Sequence, residues 1–285
     1  MRLGQHFLVN KSKIRKIVEA LNLKSGDTVV EIGAGHGELT KEIIQKFRNQ
    51  EIKKFKIVAI ERDGRLAQAL FRVIVDTNAE VIEGDALKLL PSLISNYQLP
   101  ITNYKIVGNI PYYITGHLLR VIGELKKKPA LIVLTIQKEV AERVSAKPPQ
   151  MNLLSASVQF WANPEIIGYI SKKDFRPQPK VDSAIIRLLP HSITNYQLPV
   201  ANYYRLIKVV FKQPRKTVWN NIKNEILNIN NKEEAAQLLK KVGVNPGDRP
   251  QNLSVDQLIE LSGLTFPLLF HKFSLYNSSD AQEKN

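Results

Sequence analysis

Short runs of β-branched and other apolar residues recur along the chain at Thr28–Ile32, Ile57–Ile60, Ile106–Gly108 and Leu131–Leu134. Runs this short and this uniformly apolar read as strands buried on both faces, because a strand with one wet face would alternate. Between them lie helix-length segments, near 38–48, 63–72 and 115–125, and a further strand is expected just before Glu83. Strand and helix in alternation predict an α/β fold, with a parallel sheet covered by helices on both faces. Ile166–Ile170 and Val181–Leu189 follow one another closely, which predicts an antiparallel hairpin at the sheet edge. After Pro190 the strand signal stops, and apolar positions such as Leu206, Val209, Val210, Leu238, Leu239 and Val242 fall at helical spacing. The expected organisation is therefore a sheet domain over 1–189, a small all-helical domain over 190–273 and a polar, frayed tail over 274–285. Asn96-Tyr97-Gln98-Leu99-Pro100 recurs as Asn195-Tyr196-Gln197-Leu198-Pro199, and two copies between elements read as surface-loop insertions rather than a solenoid.

Composition narrows the class. The chain has 285 residues, no cysteine and five histidines without paired spacing, so disulfides, zinc ribbons and iron–sulfur ligation are excluded and no metal is expected. No stretch approaches the roughly 20 apolar residues of a membrane span, and the first residues lack a signal-peptide core, so the expected location is the cytoplasm. The formal charge of +15 implies a polyanionic partner. Residues 190–285 hold 12 basic and 8 acidic side chains, so +4 lies there and +11 lies in residues 1–189. Basic clusters at Lys11-Lys13-Arg15-Lys16, Lys53-Lys54-Lys56, Lys126-Lys127-Lys128 and Lys172-Lys173 each read as a solvated face, and only their sum points to nucleic acid.

Candidate chemistry begins where the first long strand ends, at Val30-Glu31-Ile32-Gly33-Ala34-Gly35-His36-Gly37. Glycines there let a ligand approach the backbone. A dinucleotide site wants G-x-G-x-x-G to seat a pyrophosphate on the helix N-terminus, whereas this loop reads G-x-G-x-G behind an acid. Glu61 ends the second strand and Asp85, followed by Ala86, lies after the third, so three acids and a glycine turn are expected to converge at strand C-termini. Carboxylates would repel a pyrophosphate but suit a sulfonium, a ribose diol and an ammonium, which together describe S-adenosylmethionine.

The fourth strand ends in Asn109-Ile110-Pro111-Tyr112-Tyr113. An adenine amine is a poor nucleophile, since its lone pair is delocalised into the ring, and it carries two hydrogens. The Asn109 amide oxygen and the Ile110 carbonyl would accept both and pull the nitrogen toward tetrahedral geometry. Pro111 would stiffen the turn, and Tyr112 would stack on a base taken out of its helix. The amine becomes acidic as it is alkylated, so catalysis would rest on orientation and dipoles rather than on a strong base.

With these residues in place the chain resembles the small-subunit ribosomal RNA adenine dimethyltransferases over nearly its full length. The likeness rests on Gly4-Gln5-His6-Phe7-Leu8, the Glu31–Gly37 loop, Glu61, Gly84-Asp85-Ala86, Asn109–Tyr113, Phe175–Ser183, Phe211–Thr217 and Arg249–Ser254. It implies a Rossmann-like methyltransferase sheet with a C-terminal helical domain that recognises ribosomal RNA. It also implies that His6, Leu8, Gly33, Gly35, Glu61, Asp85, Ala86 and Asn109 contact S-adenosylmethionine, with the N-terminal segment folding over it. Phe175 would face Tyr112 across a flipped adenine. The implied substrate is a pair of adjacent adenines near the end of small-subunit RNA in an immature particle, each dimethylated by a monomeric enzyme. The chain departs from the family pattern at His6, where Asn is usual, at Pro214, where the first of two arginines is usual, and in a shorter 146–152 loop. Three other readings are a large-subunit dimethyltransferase of the macrolide-resistance type, a non-catalytic assembly or transcription factor of the same fold, and a dehydrogenase. Residues 249–254, the acids with Asn109, and the glycine spacing argue against them in turn.

Overall fold

The computed structural model describes residues 5–52, 54–75, 77–95, 103–191, 200–223 and 232–265. Both Asn-Tyr-Gln-Leu-Pro copies and the tail expected to fray lie outside the described residues. In chain order the first elements are β1 (Phe7–Leu8), α1 (Lys11–Ala20), β2 (Thr28–Ile32), α2 (Glu38–Asn49), β3 (Lys56–Glu61), α3 (Gly64–Val73), β4 (Ala79–Glu83), α4 (Ala86–Ser95), β5 (Tyr104–Asn109), α5 (Thr115–Glu124), β6 (Leu131–Gln137) and α6 (Lys138–Ser145). Then come α7 (Leu153–Gln159), β7 (Ala162–Ile170), β8 (Phe175–Arg176), β9 (Ser183–Pro190), α8 (Val200–Val210), α9 (Val218–Ile222) and α10 (Lys232–Lys241), and residues 255–265 are helical.

Seven strands form one sheet in the order β4-β3-β2-β5-β6-β9-β7. The pairs β4–β3, β3–β2, β2–β5 and β5–β6 are parallel, while β9 runs antiparallel to both β6 and β7. The chain works outward from β2 to β4 and then returns to lay β5 on the other side of β2. That reversal opens a crevice at the strand C-termini, where such sheets bind ligands. β2 is buried at every position and β6 at all but its last, as their apolar runs require. The expected edge hairpin is the β7–β9 pair, with β7 outermost.

Local chemistry sets the helix starts that matter for the crevice. Asn10 caps α1, its side-chain oxygen accepting from Ser12 and Lys13 N–H at 3.0 and 3.3 Å, and Asp63 caps α3 in the same way. The amphipathic α1 buries Ile14, Ile17 and Val18 while Lys11, Arg15 and Lys16 face solvent.

The chain divides into two compact units, one of residues 1–145 and 161–191 and the other of 146–160 and 192–285. Residues 146–160, including α7, thus group with the C-terminal helices although the apolar pattern placed them with the sheet. Within this second unit the Phe160 and Tyr203 rings stack at 4.0 Å, and the Tyr203 hydroxyl donates to the Ala156 carbonyl at 2.9 Å. Its core joins Leu206, Ile207, Val210, Val218, Ile222, Leu239 and Leu258.

Candidate active site

β2 delivers the chain into a glycine loop whose Gly33, Gly35 and Gly37 all take positive φ, at 71°, 59° and 79°. The loop is held to the next strand by the Gly33 N–H, which donates to the Ile60 carbonyl at 2.8 Å. Glu61 closes it from below: one carboxylate oxygen accepts from Gly35 N–H at 2.8 Å and the other from Asp63 N–H at 2.9 Å. Gly84 N–H donates to the Glu61 carbonyl at 2.8 Å, which brings the start of α4 alongside, and Asp85 caps α4 through the Leu87 N–H at 3.0 Å. Each carboxylate oxygen carries two lone pairs, so these backbone bonds orient Glu61 and Asp85 without exhausting their capacity to accept hydroxyl hydrogens.

Asn109 ends β5 on the opposite wall. Its amide nitrogen donates to the main-chain carbonyl of His6 at 2.7 Å, and no other described residue bonds this amide. With the NH₂ end committed, the orientation of the amide is set and its oxygen remains available. Ile110 N–H donates to the Thr135 carbonyl at 3.1 Å, while no described backbone N–H bonds the Ile110 carbonyl. Pro111 and a one-turn 3-10 helix over Tyr112–Ile114 follow, closed by Ile114 N–H donating to the Pro111 carbonyl at 3.1 Å. The Tyr112 hydroxyl lies 2.7 Å from the Ser183 hydroxyl oxygen. Desolvation pushes the pKa of Tyr112 up, and the bond to Ser183 partly offsets this.

A strap made from the N-terminus roofs the crevice. β1 pairs antiparallel with β8, setting Phe7 against Arg176 and Leu8 against Phe175, and Val9 N–H donates to the Asp174 carbonyl at 2.9 Å. The Asn10 amide adds a bond of 2.8 Å to the Asp174 carboxylate. His6 Nδ1 lies 2.8 Å from the Pro177 carbonyl oxygen, and since a carbonyl only accepts, Nδ1 carries the proton. The His6 ring stands 5.9 Å from that of Tyr112, and the Phe7 ring 4.4 Å from that of His36.

The cleft has a volume of about 810 Å³, open solvent included. His6, Gly33, Gly35, Glu61, Asp85, Ala86, Asn109, Ile110, Pro111, Tyr112 and Phe175 all line it, so the structure gathers all but one of the sequence-predicted positions in one place. Leu8 is the one outside: it is 6% exposed, belongs to the hydrophobic core beneath the strap and lines a smaller cavity alongside. Phe175 reaches the cleft wall from that same core and is 1% exposed. The expected convergence of three acids is corrected to two. Glu31 is 1% exposed, and its carboxyl accepts from the Thr40 hydroxyl at 2.6 Å behind the loop. Desolvation by burial pushes the pKa of Glu31 up to about 8, with smaller raising effects from Glu38 and Glu61. Sequence reasoning passed over Phe7, Arg62 and Tyr113, which also line the cleft. Arg62 was legible from its place directly after Glu61 at a strand end.

This set fits S-adenosylmethionine. The glycine loop turns bare backbone toward the cleft, two oriented carboxylates stand at adjacent strand ends, and an aromatic strap covers them. No group of three or more His, Cys, Asp or Glu that could hold a metal occurs among the described residues, and no described helix is long and apolar enough to cross a membrane.

Comparison with known proteins gives a consistent picture. Residues 1–265 match the model of the family described as ribosomal RNA adenine dimethylase. The ribosomal RNA small subunit methyltransferase A of Dehalococcoides mccartyi strain 195 is 35% identical over 257 residues, spanning 90% of this chain and 84% of that one. Its counterpart in Mycoplasma capricolum is 34% identical over 267 residues, spanning 92% and 96%. Among solved structures, a dimethyladenosine transferase from Plasmodium falciparum superposes with a TM-score of 0.73 at 25% identity, covering 90% of this chain and 95% of that one. The 23S rRNA methyltransferase ErmE gives 0.68 at 23% identity, covering 91% and 99%, and shows a shared fold.

Proposed function

The chain belongs to the ribosomal RNA adenine dimethylase family, and from that premise we propose that it methylates the exocyclic N6 amines of two adjacent adenines near the 3′ end of small-subunit ribosomal RNA. The methyl donor is S-adenosylmethionine, whose sulfonium supplies an electrophilic methyl group when bound. The RNA reaches the enzyme within an immature small-subunit particle, in the cytoplasm. The enzyme acts as a monomer and without a metal ion.

The observation that carries this reading is the locked amide of Asn109. Because its NH₂ end bonds the His6 carbonyl at 2.7 Å, the amide presents an acceptor rather than a donor to an incoming amine. The neighbouring Ile110 carbonyl offers the second acceptor. Two acceptors match the two hydrogens of an adenine amine and draw its nitrogen toward tetrahedral geometry, which takes the lone pair out of conjugation with the ring and raises nucleophilicity without removing a proton first. Tyr112 and Phe175 offer the aromatic walls between which a base taken out of its stack would lie. Glu61 and Asp85 would hold the ribose and adenine side of the donor, and the strap of His6 and Phe7 would exclude water above it.

The test is to incubate purified immature small subunits and, separately, large subunits with the enzyme and tritiated S-adenosylmethionine, then map dimethyladenosine. Label confined to adjacent adenines of small-subunit RNA is expected. Asn109→Ala should lower turnover by on the order of a hundredfold, as loss of one preorganised transition-state partner does, with a smaller change in donor affinity. Label in large-subunit RNA would overturn the substrate assignment, and binding to small subunits without transfer would make the protein an assembly factor.

A further inference from the structure

Tyr112 sits on a single 3-10 turn, a weak scaffold for a ring that must hold one plane against a base. A tyrosine has two rotatable side-chain bonds. A partner at the far hydroxyl fixes the first, which sets where the ring axis points, and because the phenolic O–H prefers the plane of the ring it also biases rotation about the second. That hydroxyl meets the Ser183 side chain at 2.7 Å. Ser183 is fully buried, and polar groups at such positions in a sheet are uncommon unless they hold a partner. Its backbone is also pinned on both sides. It opposes Gln137 of β6 and Ile170 of β7, and the preceding Asp182 accepts from Lys172 N–H through its carboxylate at 2.9 Å and from Lys138 N–H through its carbonyl at 3.0 Å.

From this geometry we propose that Ser183 is a positioning residue for the reaction, holding the Tyr112 ring in its stacking position from the rigid antiparallel strand β9. The inference rests on the reading of Tyr112 as the surface on which the adenine stacks. It gives the inserted strand a use beyond closing the sheet edge: β9 carries the one hydroxyl among the described residues bonded to the Tyr112 side chain. Ser183 is not among the residues that line the cleft, so its effect would pass through the tyrosine hydroxyl.

A double-mutant cycle tests this on the intact chain, with immature small subunits and tritiated S-adenosylmethionine. Tyr112→Phe keeps the ring and removes the tether, and Ser183→Ala removes the same tether from the other side with a smaller side chain that the fold accommodates. Each single variant is expected to lower kcat by about three- to tenfold, the value of one hydrogen bond, with calorimetric affinity for S-adenosylmethionine unchanged. In the Tyr112→Phe background, Ser183→Ala is expected to cost nothing further. The proposal is overturned if Ser183→Ala leaves kcat intact, if the two losses multiply, or if donor affinity falls in step with kcat. Wild-type protein that fails to label small subunits would refute the proposed substrate instead, since the cycle compares variants with an active parent.

Discussion

Burial, a hydroxyl donor and two nearby carboxylates act together on Glu31, and burial is the largest of these effects. An unfolded chain ionises this carboxyl near 4.5, while the folded protein keeps it protonated up to about pH 8. Between those values the folded state holds one more proton than the unfolded state, so stability falls as pH rises through the window. The side chain is fully buried, so little solvent screening softens the effect. Glu31→Gln keeps the shape and an acceptor for Thr40 without a charge to bury. In donor-free protein, chemical denaturation at pH 5 and pH 9 should show the variant gaining on wild type by a few kcal/mol at the higher pH. Parallel pH profiles would mean that the folded protein carries Glu31 ionised. The sequence could not separate this acid from Glu61 and Asp85. All three stand at or near a strand end, but in parallel strands alternate residues face opposite sides, and Glu31 lies one residue short of the end of β2. Leu8 stands outside the cleft for a related reason. In the two-residue β1 it alternates with Phe7, and only one of the two points at the cleft.

The strap and the glycine loop are two elements that fit only because a side chain is missing between them. A Cβ at Gly35 would stand 2.9 Å from Phe7 Cε1, and the residue holds φ at 59°. Gly35→Ala is therefore expected to push Phe7 off the loop and to add backbone strain of roughly 1 kcal/mol or more. Calorimetry should record a rise of about tenfold or more in the dissociation constant for S-adenosylmethionine, with β2 and the sheet intact by circular dichroism. Unchanged affinity would detach the strap from donor binding. The strap was visible in the sequence only through family likeness, because a two-residue strand has no periodicity to read. The parallel strands β2, β3, β5 and β6 were visible because both faces are buried, although their ends were not. β5 starts at Tyr104 and not at Ile106, since Lys105 is buried against Asp27 at 2.6 Å and breaks the apolar run. β7 starts at Ala162 and tolerates Pro164 because it is the outermost strand, half exposed and irregular between Ile166 and Gly168. The place of α7 with the C-terminal helices depends on contacts remote in sequence, which no local pattern encodes.

At the scale of the whole molecule the governing quantity is charge. The chain carries +15, of which +11 lies in residues 1–189. The structure sorts these cations by task. Lys105 is committed to a buried ion pair, and Lys128 caps the Gly123 and Leu125 carbonyls after α5, with burial lowering its pKa. Lys11, Arg15, Lys16, Lys126, Lys127, Lys173, Arg176 and Lys180 remain solvent-facing. Exposed cations of this kind add little to stability through single pairs, but together they bind a phosphate backbone by releasing its counterions. Affinity for small-subunit RNA should then fall by about tenfold or more between 50 and 200 mM salt, as a straight line on logarithmic axes. Binding of S-adenosylmethionine, which depends on a sheltered cleft, should change far less over the same range because screening acts mainly on exposed charges. Measuring both by titration separates the two surfaces: a flat RNA response would assign recognition to base stacking and shape, while a steep response in both would place the exposed field at the cleft as well.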